Sequence, residues 1–206
     1  HFYSVLLYGL LTLNWAVFAD FQQMKRYTKR KLSYLNSKRP SLQWTGLFLS
    51  KIMYFSIWIA LPIFIIDAPW WTVLLGFVVM HYTAGLILSL VFQLAHVIED
   101  AEMPWPDNSG TMKNTWAIHQ LSTTVNFSTK NRIVNWFTGG LNHQIEHHIF
   151  PQISHIHYTK IGKIVKKTAR EFNLPYNEYK TTRSALLSHF GFLRQMGDIA
   201  NLINLD

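Results

Sequence analysis

Three of the ten histidines fall within six residues, in the stretch Gly139-Gly140-Leu141-Asn142-His143-Gln144-Ile145-Glu146-His147-His148-Ile149-Phe150-Pro151. Imidazole is a borderline-soft ligand suited to iron, zinc and copper, so clustered histidines point first to a metal. Read as a helix, Gln144, His147 and His148 stand at i, i+3 and i+4 and share one face. Two adjacent imidazoles on a helix do not both bind one metal comfortably, but each can reach one of two metals lying side by side. The paired glycines leave the chain free to turn in, and Pro151 disfavours helix at Phe150 and ends the element. The plainer reading is an exposed polar turn that happens to be rich in histidine.

With those residues in view, the stretch resembles the third histidine box of the membrane fatty acid desaturases. In the front-end type, of the bacterial linoleoyl-CoA desaturase kind, a Gln replaces the first His of the usual His-x-x-His-His, as Gln144-x-x-His147-His148 does here. The flanks Thr138-Gly139-Gly140-Leu141-Asn142 and Ile149-Phe150-Pro151 are similar too. The resemblance runs through most of the 206 residues and implies an oxidoreductase. Its cofactor would be a di-iron centre held mainly by His, with molecular oxygen as co-substrate. The reaction implied is the insertion of a cis double bond into an acyl chain, of the linoleoyl-CoA, delta-six-like kind.

The resemblance makes His147 and His148 metal ligands and puts Gln144 in a ligand position, to act through its carbonyl oxygen or a bound water. It adds His96, in Phe92-Gln93-Leu94-Ala95-His96, because the family carries a further His at the end of the corresponding span. The plain alternative for His96 is an interfacial residue at a helix end. Around these lie possible supporting residues. Gln93 is one turn before His96 and could hold a water. Glu99 could orient the His96 imidazole, and Glu146 could orient a ligand of the box. His143 is the competing ligand on an adjoining face. His119 and Asn126 sit in another family-like segment, as supporting contacts or substrate lining. His155, His157 and His189 read as surface residues.

The family site needs more ligands than these, from His-x-x-x-His and His-x-x-His-His boxes. The chain is therefore expected to be the carboxy-terminal part of one desaturase domain, carrying one wall of the site.

What must position these residues is a membrane-type framework. Nearly half of the residues, 49%, are hydrophobic, and they are segregated into runs. Residues 47–66 and 70–95 read as membrane spans, with Pro62 tolerated as a kink and Lys51 snorkelling near an end. The link Asp67-Ala68-Pro69 carries no basic residue, and Trp70 and Trp71 suit an aromatic belt at the interface. Lys and Arg outnumber Asp and Glu by 19 to 11. With the apolar runs this favours anionic lipid over nucleic acid as partner. Residues 22–43 hold seven basic residues and no acid, so this loop belongs in the cytoplasm. Residues 97–206 share that basic character and form the expected cytosolic, helical cap with the box.

Residues 158–173 alternate Ile161, Ile164, Val165, Ala169 and Phe172 with five cations, an amphipathic helix for a lipid surface or for its own domain. Residues 2–19 are a borderline span. In the family all boxes face the cytoplasm, so an even number of crossings must separate the second box from the third, and residues 2–19 should lie at the interface or against the spans. The expected fold is all-α, a membrane helical hairpin with interfacial helices and the cytosolic cap. His81, 15 positions before His96, lies about 22 Å from it along a helix at ~1.5 Å per residue. It is expected to line the acyl tunnel or to bond another span.

Cysteine is absent, which excludes disulfides and thiolate metal sites. The implied substrate is a fatty acyl-CoA or an acyl-lipid. The chain holds no His-Pro-Gly-Gly haem signature, so electrons would come from a segment outside it or from a separate donor, ferredoxin or a cytochrome b5-like protein. Rival readings are a di-iron membrane hydroxylase or ketolase, and a zinc peptidase built on His143-x-x-Glu146-His147 with Glu146 as base. A metal-binding membrane protein without catalysis is a third.

Overall fold

The computed structural model describes residues 2–32 and 38–203, with side chains through 199. Part of the basic 22–43 segment thus lies outside the described residues. The described residues divide into two compact units, one up to Ser89 and one from Leu90 onward.

In the first unit, two helices are long and apolar enough to cross a membrane, Pro40–Ile65 and Trp70–His96, the second running on into the next unit. The first begins seven residues before the apolar run because Pro40 takes the first helical position, where a missing N–H costs nothing. Pro62 also lacks the N–H that would bond one turn back. The helix widens into a π turn over Ser56–Ala60 just before it, instead of simply kinking. Ile66 is extended and ends the helix.

Ser4–Gly9 and Leu11–Asn14 are short helices, followed by a π turn Trp15–Ala19 and the helix Asp20–Arg30. The start of the basic segment is therefore helical, not loop. This amino-terminal stretch packs on the Trp70–His96 helix through glycine. A Cβ on Gly85 would lie 2.5 Å from the Gly9 carbonyl oxygen, so the two backbones approach as only small residues allow. Ser89 Oγ donates to the Tyr8 carbonyl. Lys51, expected near the end of its span, has a partner. Its ammonium meets the Asp20 carboxylate at 2.6 Å, which leaves neither charge alone. His81 bonds another span, as one of the two expectations had it: Tyr54 OH is 2.7 Å from Nε2 and Thr12 Oγ1 is 3.0 Å from Nδ1.

The second unit is mainly helical: Trp116–Thr123, Arg132–Phe137, Gln144–Ile149, Tyr158–Glu171 and Thr182–Ile203. The all-α expectation needs one correction. Asn126–Phe127 pairs in parallel with Glu178–Tyr179, a two-residue ladder too short to leave an alternation in the sequence. Its core is built from Leu94, Ala95, Ile98, Val125, Phe127 and Ala185. Val125 N donates to the Ala95 carbonyl, tying the strand to the end of the long helix. Asn131 accepts from the amides of Ile133 and Val134 and so caps the Arg132–Phe137 helix. The Tyr158–Glu171 helix buries Tyr158, Gly162 and Ala169, while Ile164 and Phe172 project outward.

Candidate metal centre

The box helix Gln144–Ile149 begins after a glycine turn that only glycine fills without strain. Gly139 and Gly140 have φ of +60° and +80°. A Cβ on Gly140 would also fall 2.6 Å from the His155 Cβ. Asn142 fastens this turn to the strand: its backbone carbonyl accepts from Phe127 N, and its Nδ2 donates to the Phe127 carbonyl, each at 3.0 Å. The helix stops at Ile149, two residues before Pro151, as expected.

Asn126 sets the helix from behind. Its Oδ1 accepts from Ile145 N at 2.9 Å, satisfying one of the amides that a helix start leaves without a partner. Its Nδ2 donates to Glu146 Oε2 at 2.8 Å and to Tyr176 OH at 3.0 Å, and Tyr176 donates to Glu146 Oε1 at 2.9 Å. Burial first, then the neighbouring Glu146, pushes the Tyr176 phenol well above its ordinary range. It therefore remains a donor. Gly162 of the next helix packs over this pair, where a Cβ would come within 3.2 Å of Glu146 Oε1.

On the other side of the helix, three side chains meet. Gln144 Nε2 lies 3.1 Å from His96 Nε2 and 3.1 Å from His148 Nε2. The His96 and His148 ring centroids are 4.9 Å apart. The remaining nitrogens are tied back: His148 Nδ1 is 2.7 Å from Gln120 Oε1, and His96 Nδ1 is 3.4 Å from the Thr123 carbonyl. Both of those partners are acceptors, so each Nδ1 carries the proton and each Nε2 presents a lone pair. That is the tautomer in which a histidine binds metal through Nε2 while an outer acceptor holds its other N–H. Burial first, then the nearby His96 and His147, lowers the His148 pKa to about 4. The ring is neutral at pH 7, as a ligand must be.

Gln144 stands between the two imidazoles. Its Nε2 bridges the two lone pairs, and its buried Oε1 has no hydrogen-bond partner. A carbonyl oxygen turned toward two imidazole lone pairs is repelled unless a cation lies between them. The amide thus has two consistent states, an N–H bridge without metal and an oxygen donor with it. His147 stands beside this group, its ring centroid 5.8 Å from that of His148 and its Nδ1 3.2 Å from Tyr158 OH. Among the described residues, no three His, Asp or Glu side chains close into a complete metal site. The residues present fit an imidazole-bound metal as one wall of a larger site.

The sequence profile of fatty acid desaturases matches residues 1–180. The chain belongs to the fatty acid desaturase family. It is 36% identical to an sn-1 linoleoyl-lipid 6-desaturase of Arthrospira platensis over 199 residues, covering 95% of the chain and 52% of that protein. A second sn-1 linoleoyl-lipid 6-desaturase, from Synechocystis sp., is 45% identical over 126 residues, 61% of the chain and 35% of the relative. An acyl-lipid (8-3)-desaturase of Physcomitrium patens is 36% identical over 197 residues, 96% of the chain and 40% of the relative. The chain thus spans about half, or less, of these relatives. No solved structure matches it.

Within this desaturase chain the structure redistributes several expected roles. Glu99 does not reach His96. It accepts from Ser188 Oγ at 3.0 Å and from Gln195 Nε2 at 3.2 Å, which draws it to the last helix. Glu146 touches Asn126 and Tyr176 rather than a ligand of the box, so it holds the helix and not an imidazole. Its burial and these bonds also remove it as the base that a peptidase would need. His143 is buried facing the Glu146 side. His189 is not at the surface: it is fully buried, with Nδ1 2.5 Å from the Val97 carbonyl. His155 and His157 are exposed, as expected. Gln93 is half-buried one turn before His96, and His119 is half-buried with its carbonyl accepting from Thr123 Oγ1.

Sequence reasoning missed Gln120, Thr123, Tyr158 and Tyr176. Gln120 had one signal, its place beside His119 on the Trp116–Thr123 helix. Choosing the histidine by its chemistry selected the wrong neighbour.

Proposed function

We propose that the complete protein is an oxygen-dependent acyl desaturase in which His96, Gln144, His147 and His148 form one wall of a di-iron site. The observation that carries this reading is the pair of facing Nε2 lone pairs on His96 and His148, each with its Nδ1–H held by an outer acceptor. Bound iron would supply the oxidising power, with dioxygen and two donated electrons, that removes two hydrogens from adjacent unactivated carbons and leaves water. The chain's own contribution is orientation. Gln120 and Thr123 hold the two imidazoles in the ligating tautomer. In that tautomer His147 donates its Nδ1–H to the Tyr158 oxygen and keeps its Nε2 lone pair for metal. The Asn126–Glu146–Tyr176 cluster fixes the helix that carries them.

The substrate we propose is a linoleoyl chain desaturated on its carboxyl side, presented on a lipid rather than on coenzyme A. The support is the naming of the relatives for linoleoyl-lipid and acyl-lipid substrates. The electron donor is of the ferredoxin or cytochrome b5 kind, carried on a separate protein or on a part of the complete protein outside this chain. The Lys and Arg asymmetry supports a cytoplasmic site. Cysteines introduced at Lys29 and Lys180 should then label from the cytoplasm and one at Ala68 should not.

The test of the reaction is expression of the complete protein with linoleoyl lipid, followed by analysis of the fatty acids. A new cis double bond that disappears without oxygen is the expected result. A hydroxylated chain would instead select the hydroxylase reading, and no oxygen-dependent product would reject both.

A further inference from the structure

Away from Gln144 and His148, the box opens on a cavity of about 160 Å³ against the Tyr158–Glu171 helix. His143 lines it and is only 4% exposed, yet neither ring nitrogen has a hydrogen-bond partner. Its Nδ1 lies 3.6 Å from Glu146 Oε2, close enough for attraction but too long for a hydrogen bond. A buried imidazole always carries an N–H, and leaving that donor without an acceptor is unfavourable. Some acceptor belongs here.

The rest of the lining indicates which kind. Lys130, Lys163 and Lys166 surround the opening, with the Thr159 side chain beside them. The single acid at the rim, Glu178, is bonded by Lys166 and by Thr129. Lys130 and Lys163 form no salt bridge among the described residues. A second hollow of about 360 Å³ shares His143 and Thr159 and adds Arg132 and Trp136. Ile133, Trp136 and Phe137 stand largely exposed on that side. Cations around a buried unpaired donor suit a phosphate oxyanion. Exposed aromatic and aliphatic side chains next to them suit a lipid interface.

We propose that this cavity is a phosphate-binding subsite that takes the headgroup phosphate of an anionic lipid. It does not depend on the redox reading, since none of these residues faces the candidate metal.

The test uses the complete protein in detergent micelles, with its melting midpoint as readout. Inorganic phosphate is titrated against chloride at constant ionic strength, and short-chain phosphatidylglycerol against phosphatidylcholine. The expected result is a saturable rise with phosphatidylglycerol and with inorganic phosphate. The paired substitution Lys130→Gln and Lys163→Gln should weaken the apparent affinity by about tenfold or more, the scale of one lost charge-assisted bond. Thr159→Val should weaken it less, and iron content should stay unchanged in both. Equal response to chloride, or unchanged affinity in the paired variant, would overturn the subsite. A response to inorganic phosphate but not to phosphatidylglycerol would keep the oxyanion pocket and overturn its lipid source. A response to the lipid alone, lost in the paired variant, would support the headgroup.

Discussion

His81 and the pair His96 and His148 show the same residue type put to opposite uses. His81 is buried and spends both ring nitrogens on hydroxyls, Thr12 on one side and Tyr54 on the other. It is a satisfied residue with nothing left to offer. His96 and His148 each spend one nitrogen on an outer acceptor and turn the other toward a shared amide. Burial alone therefore does not separate a structural histidine from a ligand. The separating feature is a second nitrogen whose partner, here Gln144, would be exchanged for a metal.

The largest expected effect comes from breaking the converging pair. His96→Ala or His148→Ala in the complete protein should lower desaturation by more than the ~10–100-fold typical of losing an outer partner. His81→Phe should leave it within a few-fold, measured as product per membrane-inserted protein. Equal losses in all three would erase the contrast.

Outer partners come next. Gln120→Ala removes the acceptor that holds His148 Nδ1–H, so iron affinity should fall by about 10–100-fold. Gln120→Glu keeps an acceptor and should retain most of it. Chelator competition would measure both.

A smaller effect belongs to the structural histidine. Tyr54→Phe leaves His81 Nε2 without its phenol and should lower stability by about 1–3 kcal/mol, the usual cost of an unsatisfied buried group. Iron content should not change. The readout is the denaturation midpoint in detergent.

The smallest effect concerns pH. Burial lowers the pKa of His189 below 6.5, against a rise from its bond to the Val97 carbonyl. A folded value below the unfolded one means that the contribution of His189 is complete at higher pH. It is lost as pH falls below about 6.5, because the unfolded chain takes up the proton first. The midpoint of the metal-free protein should decline over that range, and His189→Gln should flatten the decline.

Much of this was legible from local pattern. The two apolar helices, the glycine turn and the end of the box helix before Pro151 follow from periodicity and φ preferences, while intramembrane polarity left His81 two roles, of which bonding another span was one. The residues that misled are those whose partners lie far along the chain. Glu99 is 89 positions from Ser188, and Val97 is 92 positions from His189. No spacing rule carries information over such distances. Glu146 reads from the sequence as a hydrogen-bond partner that orients a ligand, yet its partner is Tyr176, 30 residues on. Gln120 carried no signal beyond its place beside His119, since a glutamine becomes an acceptor for a ligand only once the fold places it there.

The central claim is that Gln144 joins His96 and His148 in one wall of the metal site. Iron per chain, measured on the complete protein carrying Gln144→His or Gln144→Ala, tests it most directly. Histidine restores a stronger ligand at the same place, so Gln144→His should keep its iron, whether or not turnover survives. Gln144→Ala should lose part of the metal and most of the activity. Full iron and wild-type activity in Gln144→Ala would remove Gln144 from the site and contradict the account.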